Sequence, residues 1–281
     1  MVAMKKRTLK LALVIIVAAL AYLAFHFHGE KSGVYSSEGG LFRYSESRPA
    51  PAAQIMSSNI TENYTISELA LESRDAVLSS YLFVPKAEPK AGVVLVAGAG
   101  VDKNGNLGLA KMLANEGLEV LSYDQRSTGK TVVENIRNEP ESHKSIYDSL
   151  AAFDYLREQK GIGRVVIAGE SLGGRTAILA GSMDGRLAGV LAISTSGYGP
   201  VSDPDYYSIN PDNYLALFGG KKVAFIHSTA DQVIPIGLAS QTFGKAQPPK
   251  RFFRIDGCTH GYCGEMKPQV LEALGWILGS N

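Results

Sequence analysis

Six short apolar runs, at 93–97, 119–123, 164–168, 188–194, 223–227 and 251–255, alternate along the chain with longer stretches of helical apolar period. A strand that is apolar on both faces has to be covered on both faces, and the usual solution is a parallel sheet wrapped by crossover helices. The helical period is read at 107–116, 145–159, 174–182, 236–244 and 267–278. This alternation predicts an α/β domain with a mostly parallel, doubly wound sheet and helices on both faces. Upstream, two alternating stretches at 64–71 and 76–84 flank the polar Glu72-Ser73-Arg74-Asp75 and predict an antiparallel hairpin at the sheet edge. With 281 residues and 45% of them hydrophobic, one large core suffices and a second is not required.

The N-terminus has a different character. Lys5, Lys6, Arg7 and Lys10 precede an apolar run over 11–27. At about 1.5 Å per residue the run spans roughly 25 Å, close to the hydrocarbon thickness of a bilayer. The basic flank predicts a cytoplasmic start, one transmembrane helix within residues 1–28, and the rest of the chain on the extracytoplasmic side. The alternative is a signal peptide cut after Ala19-Leu20-Ala21, which exports the same domain. Residues 29–60 are rich in Gly, Ser, Glu and Pro and read as a flexible linker, leaving 61–281 as the folded domain. Asn59-Ile60-Thr61 and Asn63-Tyr64-Thr65 have the form of glycosylation sequons, which also arise by chance. A net charge of +1 provides no broad basic surface for a nucleic-acid backbone.

Gly169-Glu170-Ser171-Leu172-Gly173 follows directly on the run 164–168 and precedes a helical segment. A strand turning sharply into a helix strains its corner residue and lifts the Ser171 hydroxyl to the carboxyl edge of the sheet. A hydroxyl is a weak nucleophile and needs a base. Of the five histidines, His26 and His28 lie at the membrane end, His143 precedes Ser171, and His227 ends a buried strand. His260, in the loop after the last strand, is the candidate base. Its carboxylate partner is Asp231, after the run 223–227, with Asp256 as the alternative four residues before the histidine.

From about 64 to 278 the chain resembles an α/β-hydrolase, with nucleophile, acid and histidine in that order. The elbow at Ser171, the Asp231 loop ending in Pro235 and the His260-Gly261 pair carry the likeness. Ala97-Gly98-Ala99-Gly100-Val101-Asp102-Lys103-Asn104-Gly105-Asn106 and Tyr123-Asp124-Gln125-Arg126-Ser127-Thr128-Gly129-Lys130 resemble segments of esterases related to dienelactone hydrolases and acyl-peptide hydrolases. Ser127 departs most from those relatives, which loosens any inference about the acyl group. The resemblance implies a serine hydrolase that cleaves carboxylic esters of small or medium acyl groups through an acyl-enzyme on Ser171. It implies no cofactor and no metal, and a small-molecule ester as substrate. A thioesterase, peptidase or acyltransferase uses the same constellation, and a non-catalytic binding protein of this fold is the reading from another class.

The glycine-rich turn after 93–97 brings backbone N–H groups toward the carbonyl that Ser171 attacks, so Ala99 and Leu172 are the expected oxyanion hole. Asp102, Asp124 and Arg126 are expected to order loops around it. Residues 195–222, rich in Tyr, Pro, Asp and Asn, suffice for a small lid but not for a large helical cap. Cys258 and Cys263 straddle His260, as a disulfide in an exported domain or as two thiols in a reducing one.

Overall fold

The computed structural model describes residues 36–38, 40–45, 48–126, 128–134 and 141–279. The predicted membrane anchor or signal peptide and Ser127 lie outside them. No described helix is long and apolar enough to cross a membrane.

In chain order the strands are β1 (Ser36–Glu38), β2 (Leu41–Arg43), β3 (Ala53–Ile60), β4 (Tyr64–Ser73), β5 (Ala76–Pro85) and β6 (Gly92–Val96). Then follow β7 (Glu119–Tyr123), β8 (Val132–Val133), β9 (Val165–Glu170), β10 (Gly189–Ile193), β11 (Lys222–Ser228) and β12 (Lys250–Ile255). The helices are α1 (Leu107–Asn115), α2 (Glu141–Asp154), α3 (Leu172–Met183), the short α4 (Pro204–Ser208) and α5 (Pro211–Tyr214), α6 (Ile236–Lys245) and α7 (Lys267–Leu278). β3 to β12 form a 10-stranded sheet in the order β12-β11-β10-β9-β6-β7-β5-β4-β3, with β8 paired to β5. From β12 to β7 every pairing is parallel, while β5, β4 and β3 pair antiparallel.

The parallel strands β6, β7, β9, β10 and β11 are buried along nearly their whole length because side chains alternate between two cores, whereas β12 at the edge is mostly open. Val94, Val96, Ile167, Ala192 and Phe225 point to one face and meet Leu150 and Phe153 of α2 and Ile178 and Leu179 of α3. Val93, Leu95, Val166, Ala168, Leu191 and Ile193 point to the other and meet Leu109 and Leu113 of α1 and Val270 and Leu274 of α7. Each face thus removes its own apolar surface from water, and this burial is the main force that holds helices to sheet.

Two expectations are corrected here. The 64–84 hairpin does not end the sheet, since β3 pairs antiparallel with β4 outside it, with a register shift between Ile55 and Ser57. All eight residues of β3 are exposed, so no face of it carries an apolar period that sequence could reveal. Nor are residues 29–60 linker throughout. Phe42 and Tyr44 are buried in the core, with Phe42 stacked on the His143 ring at 3.9 Å.

Arg48 explains why that segment is pinned. Its guanidinium donates to Asp154 at 2.7 Å and to Asp184 at 2.5 Å, and its side chain is 1% exposed. Removing it leaves two carboxylates beneath the chain with Arg186 as their remaining partner. Arg48→Met is expected to lower the unfolding free energy by about 3 kcal/mol, read from urea denaturation. A loss below about 0.5 kcal/mol would mean that the strap contributes little to the fold.

Candidate active site

The strand order reverses at β6, whose neighbours are β7 on one side and β9 on the other. Such a switch point opens a crevice at the carboxyl ends of the strands. The turn at 97–100 leaves the end of β6 and the Ser171 elbow leaves the end of β9 next to it. The Asp231 and His260 loops leave the ends of β11 and β12 at the same edge.

Ser171 has φ 52° and ψ −117°, a backbone state that non-glycine residues seldom adopt. Close backbone contacts hold it there. A Cβ on Gly173 would lie 2.1 Å from the carbonyl oxygen of Val96 and 2.5 Å from that of Ala97, so the first turn of α3 rests directly on the end of β6. Gly98 faces the nucleophile position, where a Cβ would stand 3.6 Å from that of Ser171. The Ser171 N–H donates to Ile193 O at 3.0 Å, and Thr195 Oγ1 donates to Ser171 O at 2.6 Å. Leu172 begins α3, so its amide has no acceptor within the helix. Gln125 donates to Ala97 O and ties that turn to the loop after β7.

The imidazole of His260 is held by Asp231 and not by Asp256. His260 Nδ1 lies 2.9 Å from Asp231 Oδ2 and 3.1 Å from Oδ1, whereas Asp256 accepts from Thr229 Oγ1 at 2.6 Å. Asp231 is 4% exposed and also accepts from the amides of Val233 and Ile234, each at 2.9 Å. Those two bonds fix the carboxylate, which as an acceptor calls for a proton on Nδ1. Nε2 is left as the acceptor. The Ser171 hydroxyl makes no hydrogen bond among the described residues; nucleophile and base commonly close their contact only around substrate.

His227 is fully buried, as its position at the end of a strand suggests. Its Nε2 lies 2.8 Å from Ile234 O and 3.4 Å from Asp231 Oδ2. Burial pushes its pKa down, against the pull of the Ile234 carbonyl and of Asp231, which favours a neutral ring donating into the Asp231 loop. Asp124 orders the other side of the site, accepting from the amides of Lys103 at 2.7 Å and Lys130 at 2.9 Å. Arg126 sits in a buried ion cluster with Asp75 and Asp148. Glu170 and Asn106 were not singled out by sequence reasoning; Glu170 stands inside the elbow motif, but nothing in the motif says where its carboxylate reaches.

Cys258 and Cys263 form a disulfide with Cα atoms 6.1 Å apart, closing a loop around His260. With both sulfurs joined, they do not offer thiolates to a metal. A separate cleft of about 370 Å³, lined by Pro49, Glu72, Arg74, Glu134, Tyr147 and Asp154 among others, shares no residue with this site.

Residues 87–204 match the protein family described as Serine aminopeptidase, S33. The match spans the 97–100 turn and the Ser171 elbow but stops short of Asp231 and His260. No curated protein matches the chain. Among solved structures, an acetyl xylan esterase from a Paenibacillus species superposes with a TM-score of 0.65 at 15% identity, covering 82% of this chain and 88% of that one. An esterase from Pyrococcus furiosus gives 0.63 at 19% identity, covering 80% and 99%. A protein from Thermus thermophilus gives 0.62 at 21% identity, covering 73% and 95%. The chain has the α/β-hydrolase fold. The family match covers the nucleophile elbow of this fold.

The disulfide carries a test of its own. The Cys258→Ser, Cys263→Ser double variant is expected to lose about 2 kcal/mol of stability, the loop-closure estimate for so short a ring. Equal melting temperatures for oxidised and reduced protein would count against a locking role.

Proposed function

We propose that the chain hydrolyses carboxylic esters of small or medium acyl groups through an acyl-enzyme on Ser171. The observation that carries this reading is a serine held at φ 52° on a strand-to-helix corner, at the same sheet edge as an imidazole bound to Asp231 through Nδ1. In the reaction, His260 Nε2 takes the Ser171 proton as the hydroxyl attacks the ester carbonyl, and Asp231 stabilises the imidazolium. The amides of Ala99 and Leu172 stabilise the oxyanion, aided by the N-terminus of α3. His260 returns the proton to the leaving alcohol, and then activates the water that releases the acid. Each step uses only side chains and amides of this chain.

Acyl size is read from a cavity of about 80 Å³ beside the elbow, lined by Leu172, Gln125, Ile146, Thr176 and Leu179 and bounded by Arg175 and Tyr198. A short acyl chain fits it, whereas a long one needs the Tyr198 side to open. The segment over that side is modest: Tyr198 and Tyr206 meet edge to face at 5.5 Å, while Tyr214, Leu215 and Phe218 are buried in the core. Structures of similar fold include proteins named as acetyl xylan esterases and one named as bound to ferulic acid, all below 25% identity. For location, the basic flank and apolar run at 11–27 support a single-pass anchor with the catalytic domain outside the cytoplasm. Protease accessibility in intact cells against lysed cells tests the orientation.

Labelling with a fluorophosphonate probe is expected for the intact chain and lost in Ser171→Ala, with kcat falling on the order of 10⁴-fold or more. Asp231→Asn, which offers Nδ1–H no carboxylate, is expected to lower kcat by about 10⁴-fold with the fold retained. Turnover of p-nitrophenyl acetate and butyrate should exceed that of the palmitate ester by at least about tenfold in kcat/KM. Absence of labelling in folded protein would sink the hydrolytic reading, and faster turnover of aminoacyl anilides than of esters would assign the chain to peptidases.

A further inference from the structure

The residue before the nucleophile, Glu170, ends β9 and reaches two loops at once. Its Oε2 accepts from the Tyr262 amide at 2.6 Å, two residues past His260. The same oxygen stands 2.9 Å from where a Cβ on Gly261 would be, and Gly261 has φ 84°, so the carboxylate packs against the backbone of the histidine loop. On the other side lies the amide of Asn106, the residue before α1, which is 1% exposed. One end of that amide is 2.8 Å from Glu170 Oε1 and the other is 3.3 Å from Ala97 N.

The backbone decides the orientation of this amide. Ala97 N–H can only donate, so the amide oxygen faces Ala97 and the amide nitrogen donates to Glu170. Glu170 therefore accepts on both oxygens, which favours its ionised form. Burial pushes its pKa up from the ordinary glutamate value, while the Tyr262 amide and the charge of His260 pull it back without cancelling the rise. The titratable groups facing His260 are Asp231 and His227 from β11 and its loop, and Glu170 from β9. Those facing Glu170 are His260 and Tyr262.

We infer that Glu170 is a positioning residue whose carboxylate clasps the histidine loop to the end of β6 through Tyr262 N–H and the Asn106 bridge to Ala97. The clasp sets the general base and the oxyanion turn in one register across Ser171. Its kinetic consequence rests on the esterase reading above; its effect on His260 does not.

Glu170→Gln is the informative substitution. The amide keeps the volume and one acceptor, so the bond from Tyr262 survives. Its second group is a donor, and Asn106 cannot then satisfy both Ala97 and residue 170. With p-nitrophenyl acetate, kcat is expected to fall about tenfold while KM stays within about twofold. Loss of a negative charge beside the imidazole destabilises its cationic form. The acidic limb of kcat/KM should move to lower pH, and the His260 ring signals in NMR should change between wild type and variant.

A lowered melting temperature with kcat, the pH profile and the His260 ring signals unchanged would overturn the inference and leave Glu170 a merely structural residue. If Glu170→Gln does not fold, Asn106→Ala removes the bridge from Glu170 to Ala97 and leaves the bond from Tyr262 N–H in place. It should lower kcat severalfold, and wild-type kcat in that variant would equally overturn the clasp. A wild-type protein inert toward every ester, whose His260 ring signals still change in Glu170→Gln, would retire the esterase reading and support the clasp.

Discussion

The site depends on a backbone contact. The first turn of α3 lies against the carbonyl oxygens of Val96 and Ala97, at a distance that admits no side chain on Gly173. That contact lets the chain reverse from β9 into a helix within one residue, and the cost appears at Ser171 as a positive φ. A strained corner persists only where its surroundings over-determine it. Here they do, since Ser171 N–H is bonded to β10, its carbonyl accepts from Thr195, and the helix it opens is buried on the sheet.

Around this rigid corner the remaining groups come from loops, each tied down by a different means. The Asp231 loop is ordered by its own amides and by His227. The His260 loop is closed by a disulfide and bonded to Glu170. The turn after β6 is held by Gln125 and Asn106. Loops can carry chemistry only if a scaffold fixes them, and here the fixing groups are polar and reach across strand ends. The electrostatic consequence is a histidine facing two acidic groups, one bonded to Nδ1 and one acting through space.

Much of this was legible in the sequence. The parallel strands announced themselves because burial on both faces leaves no polar alternation, and β7 and α7 have the boundaries that the pattern suggested. The elbow was legible because the need for small residues around a sharp corner is local chemistry. β3 was not, because a strand exposed on both faces owes its existence to pairing with β4. The strap at 41–48 was not, because Phe42, Tyr44 and Arg48 meet partners far along the chain, His143, Tyr147 and Asp154 in turn.

The sequence by itself determined the class of fold, the corner on which Ser171 stands and the short list of acids and histidines that could serve it, since all of these follow from local periodicity and residue type. Tertiary structure alone decided between Asp231 and Asp256 as the partner of His260. Both follow strand ends, and only the lateral order of β11 and β12 brings one carboxylate to Nδ1 while the other turns to Thr229. It also decided what Glu170 does. A motif records that a residue is present, but hydrogen bonds between loops from separate strands exist only once the sheet has set those strands side by side.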